Sequence, residues 1–211
     1  MGVGVVELME AIRDRRSIRK FLSDPVDGAD LQEIVQAGTL APNAENDQMW
    51  RFVAVTNKAI IKKIGEIVSN RVDAIDQACK ALGYDQYSNH RYFLVFFQDA
   101  PAIITAFCRP SINANDKALA ALNMRLDSPQ PICPVQQSMG AALQKISLAA
   151  HAKGYGTTWM YAPVLAYREI GELLSVPEPW VLTALLPIGK PAQQPKPRPR
   201  KPVEEVFSLI E

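Results

Sequence analysis

Apolar residues recur at helical spacing along most of the chain, interrupted by short continuous apolar runs. Val5, Leu8, Met9 and Ile12 fall at i, i+3, i+4 and i+7, which predicts an amphipathic helix over residues 5–14. Asp27 is placed to cap a second helix carrying Leu31, Ile34 and Val35. That helix should end before Pro42, because the ring of a proline pushes the preceding residue out of helical angles. Pro42 to Trp50 is polar and turn-rich and leads into Arg51–Val55, which reads as a buried strand. Thr56 or Asn57 caps a third helix with Ile60, Ile64, Ile67 and Val68 on one face. A further helical pattern follows through Val72, Ile75, Cys79 and Leu82, with Gly83 as its end.

The aromatic-rich stretch from Tyr84 to Phe97 suits core or interface packing. Pro101 opens a second buried strand, Ala102–Cys108. Residues 109–135 hold four prolines and a short helical pattern through Leu119, Leu122 and Leu126, the kind of long segment that often lies over a site or at an interface. Ser138 to Lys153 is the strongest helix, with Ser138 as its expected cap, Leu143, Ile146 and Ala150 on its stripe, and Gly154 beyond its end. Gly156–Met160 reads as a short strand or extended loop, Pro163 opens a helix with Ile170, Leu173 and Leu174 apolar, and Trp180–Ile188 is a third buried strand. Helices that outnumber a few strands predict an α+β fold with a small sheet under helical cover.

Composition narrows the field. The 211 residues are 48% hydrophobic and 21% charged, enough for one good-sized core, and the formal net charge is +1. No global field draws nucleic acid or membrane, so any anion site must be local. The three cysteines, Cys79, Cys108 and Cys133, are far apart, and His90 and His151 lack ligand-like spacing. A disulfide framework and a metal site are therefore not expected, and a reducing compartment fits. No signal peptide or membrane span is evident, which leaves the cytoplasm as the default.

Basic residues concentrate in two places. Arg13–Phe21 packs five of them with one acid into nine positions, with Ser17 inside the run. Gly189–Pro202 alternates five prolines with Lys190, Lys196, Arg198, Arg200 and Lys201, an extended arm ending in the apolar patch Val203–Phe207. The first run can be a solvated helix end that complements the helix dipole. It can also hold a phosphate monoester, because arginine forks suit phosphate oxygens and a serine hydroxyl adds a donor. The usual dinucleotide, nucleoside-triphosphate, serine-hydrolase and zinc-protease motifs are all missing. Where protein groups supply no reactive centre, a cofactor can, and flavin mononucleotide (FMN) would use arginines for its phosphate, amides for its ring edge and apolar walls for its faces.

Four stretches in order resemble the nitroreductase family of FMN oxidoreductases: Arg15–Arg19, Ala41–Phe52, Gly140–Gln144 with Leu148–Gly156, and Ile188–Pro191 with Arg198–Val206. The resemblance covers about Glu7 to Phe207 and implies a single α+β domain with a small, mostly antiparallel sheet. It implies an intertwined homodimer with a flavin in each of two interface clefts, and a C-terminal arm of about residues 190–211 packed on the partner. Carried over, Arg15, Arg16, Ser17 and Arg19 would hold the phosphate and ribityl end, with Arg198 or Arg200 returning to the phosphate. Pro42, Asn43, Ala44, Asn46 and Gln48 would arrive from the other subunit, and Thr158, Trp159 and Met160 would line the ring. NADH or NADPH would reduce the flavin at N5, and a nitroaromatic, quinone or related small-molecule acceptor would then be reduced in ping-pong order. No side chain need act as a dedicated acid or base. Two departures stand out: Pro42-Asn43 where the family often has Pro-Ser, and Gln48-Met49-Trp50 where it often has Gln-Pro-Trp.

Bland roles compete for individual residues: Trp50 and Phe52 as core, Asn46 as a left-handed turn residue, Trp159 as a packing anchor, His151 as structural, and Cys133 as unreactive. Two rival functions are a non-enzymatic binding protein using its basic arms, and a flavoprotein of the same fold with dehydrogenase, dehalogenase or flavin-breakdown chemistry. A nucleic-acid role would show steep salt dependence, but the near-zero net charge and the lack of a recognised motif speak against it.

Overall fold

The computed structural model describes residues 7–84, 91–111, 114–122 and 134–211. Seven α-helices among the described residues surround a four-stranded antiparallel sheet. The strands are β1 (Trp50–Val55), β2 (Ala102–Cys108), β3 (Gly156–Thr157) and β4 (Val181–Gly189), in the order β1-β2-β4-β3. β2 and β4 are central, and β2 is buried along its whole length. β1 is an edge strand with Arg51 and Ala54 exposed, so the expectation that it is buried holds only at its ends.

Helices cover both faces. On one, α2 (Gly28–Thr39) and α6 (Pro134–Ala152) enclose Ile34, Leu143 and Ile146 against Ala102, Ile104 and Ala106. On the other, α3 (Lys58–Ala81) and α7 (Tyr167–Leu173) pack Ile61, Ile64, Val68 and Ile170 against Ile103, Phe107 and Leu185. The alternation of β2 supplies both cores, because successive side chains of a strand point to opposite faces. In β4 a bulge breaks that alternation. Ala106 pairs with Ala184 and Phe107 with Leu182, which leaves Thr183 as the extra residue. Leu182 therefore joins Leu185 in one core while Ala184, Leu186 and Ile188 enter the other.

Cap chemistry sets several boundaries as expected. Asp27 accepts from the amides of Ala29 (2.7 Å) and Asp30 (3.3 Å), and Asn57 from those of Ala59 (2.9 Å) and Ile60 (3.2 Å). Each such cap contributes about 1 kcal/mol. Three expectations need correction. The two patterns between residues 58 and 82 form one continuous helix. Ser138 is no cap: α6 begins at Pro134, whose missing amide costs nothing there, and the buried Ser138 hydroxyl donates to the Pro134 carbonyl at 2.9 Å. The apolar stripe of α1 (Leu8–Asp14) does not face the core: Leu8, Met9 and Ile12 are half or more exposed, and only Ala11 of that helix is buried.

Residues 85–90 of the aromatic stretch lie outside the described residues, and from residue 91 it divides between α4 (Arg91–Val95) and a 3-10 turn over Phe96–Asp99. Phe96 and Phe97 are buried, whereas Tyr92 and Phe93 are about half exposed. In the long segment, α5 spans Ala114–Ala121, while Leu126 and Cys133 lie outside the described residues.

Candidate functional site

After α1 the chain runs extended, and its backbone is held on two sides. Ser17 pairs in parallel with Thr157 of β3, and the Ile18 amide donates to the Thr157 carbonyl at 3.0 Å. Farther on, Phe21 pairs with Pro191, the Leu22 amide reaches the Lys190 carbonyl (2.9 Å), and the Ala192 amide reaches the Lys20 carbonyl (3.0 Å). The arginine run thus extends the sheet edge and ties down the start of the C-terminal arm. Gly156 makes this possible: a Cβ there would lie 2.4 Å from Ile18 Cγ1. With the buried Ile18 locked against β3, Arg15, Arg16, Ser17 and Arg19 are displayed around it.

The cations differ in their engagements. Arg16 donates to the carbonyls of Arg13 (2.6 Å) and Arg15 (2.9 Å), so it does cover the carbonyl end of α1. Arg19 makes one long contact, 3.5 Å, to the Ser17 carbonyl. Burial, then Arg16 and Arg200, push the Arg15 guanidinium below its ordinary pKa. Arg200 of the arm and Arg15 of the N-terminal run are therefore close enough to repel. Among the described residues, none of Arg15, Arg16, Arg19, Arg198 and Arg200 is ion-paired to a carboxylate. Asp14 is the one acid beside Arg15 and Arg16 in the lining of the adjoining small cavity, and such an excess of cations is what an anion site offers before its anion arrives.

Two cavities adjoin this cluster. A cleft of about 560 Å³ brings Arg19 and Arg198 together with Thr158, Trp159 and Met160, and Phe93, Phe96 and Tyr161 complete an aromatic wall. A small cavity of about 30 Å³ lies between Arg15, Arg16, His151, Ser147, Thr157 and the arm residue Gln194. The Thr157 hydroxyl is buried there without a hydrogen-bond partner. Trp159, about half exposed, links the two spaces, since its Nε1 donates to Ser147 Oγ at 3.1 Å.

The predicted loop residues Pro42, Asn43, Ala44, Asn46 and Gln48 line neither cavity of this chain. Their loop is well defined. Asn43 Oδ1 accepts the Gln48 amide at 2.8 Å, Arg109 holds Asp47, and Glu45, Asn46 and Gln48 have φ near +50°. The amide-bearing Asn46 does occupy the left-handed turn position expected of it. Trp50 is core, as expected, and Phe52 packs against the same cluster.

The donor set fits a phosphate monoester, which brings about two negative charges and three acceptor oxygens. Arg15 and Arg200 supply charge, and the unpaired Thr157 hydroxyl supplies a donor. The adjacent cleft, with Met160, Ala162, Leu165 and Phe96, provides apolar wall for a planar ring system. Sequence reasoning missed Thr157, Ser147 and the α4 aromatics, because nothing local distinguishes them from core. No group of three or more potential metal ligands occurs among the described residues. No helix among them is long and apolar enough to cross a membrane.

The fold is α+β, with an arginine cluster beside an aromatic cleft, and comparison with known proteins shows the family to which it belongs. Residues 12–190 match the Nitroreductase family, and the chain belongs to that family. A BluB-like flavoprotein from Clostridium difficile 630 is similar over 98% of this chain and 100% of that one, with 26% identity and a TM-score of 0.86. FMN reductase [NAD(P)H] of Bacillus subtilis is 29% identical over 95% of this chain and 72% of its own length. The 5,6-dimethylbenzimidazole synthase of Rhodospirillum rubrum is 28% identical over 85% of this chain and 80% of its own.

Proposed function

We propose that the chain is a cytoplasmic, single-domain FMN-dependent oxidoreductase that takes reducing equivalents from NADH or NADPH and passes them to a nitroaromatic, quinone or related acceptor. The observation that carries this reading is a cleft that gathers Arg19 and Arg198 with Thr158, Trp159 and Met160, beside a small cavity lined by Arg15, Arg16 and the unpartnered Thr157 hydroxyl. FMN bound there supplies hydride-level redox chemistry between a nicotinamide and an acceptor.

The residues of the chain then bind, orient and exclude. Arg15, Arg200 and the Thr157 hydroxyl hold the phosphate. Arg19, displayed at the cleft, offers a cation to the carbonyl edge of the ring. Met160 and Trp159 wall one side and limit water, and solvent supplies protons through the open mouth. Rate enhancement would come from positioning and from fixed charge near the ring, with no side chain acting as a dedicated base.

The working unit is a homodimer. The exposed stripe of Leu8, Met9 and Ile12 and the exposed tail residues Val203, Val206, Phe207, Leu209 and Ile210 form apolar surface that a second copy would cover. Pro42 to Gln48, absent from this chain's own cleft, would complete the partner's. A second reading is a specialised synthase of the same fold, supported by the 28% identity to the 5,6-dimethylbenzimidazole synthase of Rhodospirillum rubrum.

Purified protein should bind FMN stoichiometrically in an equilibrium titration, and protein that shows no FMN binding overturns the proposal. Turnover of NADH and NADPH against an acceptor panel, with 5,6-dimethylbenzimidazole formation assayed in parallel, separates the two readings.

A further inference from the structure

His151 stands in the last turn of α6 and lines the small cavity together with Arg15, Arg16 and the orphaned Thr157 hydroxyl. The groups around it come from several elements. Asp14, Arg15 and Arg16 face it from the end of α1, with Glu10 one turn earlier on that helix. Ser147 lies one turn back on α6, Tyr155 and Thr157 flank it at β3, and the neutral Gln194 comes from the arm. Tyr155 gives its hydroxyl to Asp30 at 2.7 Å, and Lys153 is paired to Asp30 and Glu33, so neither competes for the cavity.

We propose that His151 is an additional contact of the phosphate site, recruited when its imidazole is protonated, so that binding a phosphate monoester is coupled to uptake of a proton by His151. This rests on the assignment of the arginine cluster to the FMN phosphate. Without an anion, burial and the positive charge of Arg15 and Arg16 outweigh Asp14 and Glu10 and hold the imidazole pKa below its ordinary value. That shift favours the uncharged ring. A dianion inserted between these cations reverses the local field and favours imidazolium, as does the carbonyl end of α6. Linkage makes the effect reciprocal: whatever factor protonation adds to phosphate affinity, phosphate adds to proton affinity. A tenfold tighter complex corresponds to a rise of about one unit in the imidazole pKa.

The phosphate itself titrates near pH 6, so wild type is compared with variants on the same ligand, which cancels that ionisation. FMN and riboflavin are titrated against wild type, His151→Gln and His151→Lys between about pH 5.5 and 8. Wild type and His151→Gln should bind FMN alike near pH 8, and wild type should bind progressively tighter as pH falls, by about fivefold near pH 5.5 and approaching tenfold only below the free imidazole pKa. His151→Lys, a permanent cation, should stay tighter than His151→Gln throughout. Riboflavin, lacking the phosphate, should not distinguish the three. Proton NMR of the imidazole, assigned by its loss in His151→Gln, should show the pKa rising when FMN is added. A wild-type to Gln ratio that is flat with pH, the same ratio with riboflavin, or an imidazole pKa unmoved by FMN overturns the coupling while leaving the cofactor reading intact. Absence of FMN binding by wild type overturns both.

Discussion

Trp159 Nε1 donates to Ser147 Oγ at 3.1 Å, and the same hydroxyl donates to the Leu143 carbonyl at 2.8 Å. One buried serine of the central helix thereby fixes the orientation of an indole that walls the cleft. Ser147→Ala should free that ring at a cost of about 1 kcal/mol. We expect a rise of about fivefold in acceptor KM with kcat little changed, and a shift in tryptophan emission. Steady-state kinetics and fluorescence check this, and unaltered KM with unaltered emission would mean the bond does not hold the indole.

Arg15 and Arg200 approach each other from opposite ends of the chain. Removing either charge-assisted contact, by Arg15→Ala or Arg200→Ala, should weaken FMN binding by about 1.5–3 kcal/mol. Arg15→Ala should act with the larger effect, because Arg15 is the more buried of the two. Equilibrium titration is the measurement, with riboflavin as the control that should respond little.

Gly156 leaves no room for a side chain against Ile18. Gly156→Val should push the arginine run off β3, lower stability by about 1–3 kcal/mol and weaken FMN binding as well. Thermal melts and flavin titration of one preparation test both effects. Retention of full affinity would show that the run does not depend on this contact.

Asp30 ties α2 to the end of α6 by accepting from Lys153 Nζ (2.7 Å) and Tyr155 OH (2.7 Å). These two bonds hold its carboxyl below the ordinary carboxylate range. A depressed folded pKa adds stability that is present above the unfolded value, near 4, and lost as pH falls through the folded one. Lys153 is raised by Asp30 and Glu33, so its share is present below the unfolded value, near 10.4, and lost as pH climbs past it. Asp30→Asn should therefore flatten the acid limb of stability below about pH 4, measured by denaturant unfolding across pH.

Val203 through Glu211 is exposed along its whole length. Deleting these nine residues should leave the fold of the chain intact by circular dichroism and shift a homodimer toward monomer in sedimentation velocity. An unchanged oligomeric state would remove the tail from the proposed interface.

Much of this arrangement was legible in the residues themselves. Asp27 and Asn57 announce two helix starts, because a capping side chain acts within three residues of itself. The apolar runs at residues 102–108 and 181–188 announce the central strands, because burial on both faces leaves no polar alternation. The α+β class and the arginine run with its anion chemistry follow from the same local signals. Other features depend on contacts between distant segments. Thr183 forms a bulge only because of its pairing with β2, and that bulge moves Leu182 into the other core. The stripe of α1 carries helical periodicity, yet which of its faces meets the core depends on where α6 lies. Arg200 reaches Arg15 because Lys190 and Ala192 are hydrogen-bonded to the segment after the arginine run, some 170 residues away in the chain. Local residue patterns set most of the elements and the kind of ion they could hold. The tertiary structure decided which cations meet, beside which hydroxyl and which histidine, because charge and hydrogen bonding act through a few ångströms of space and not along the chain.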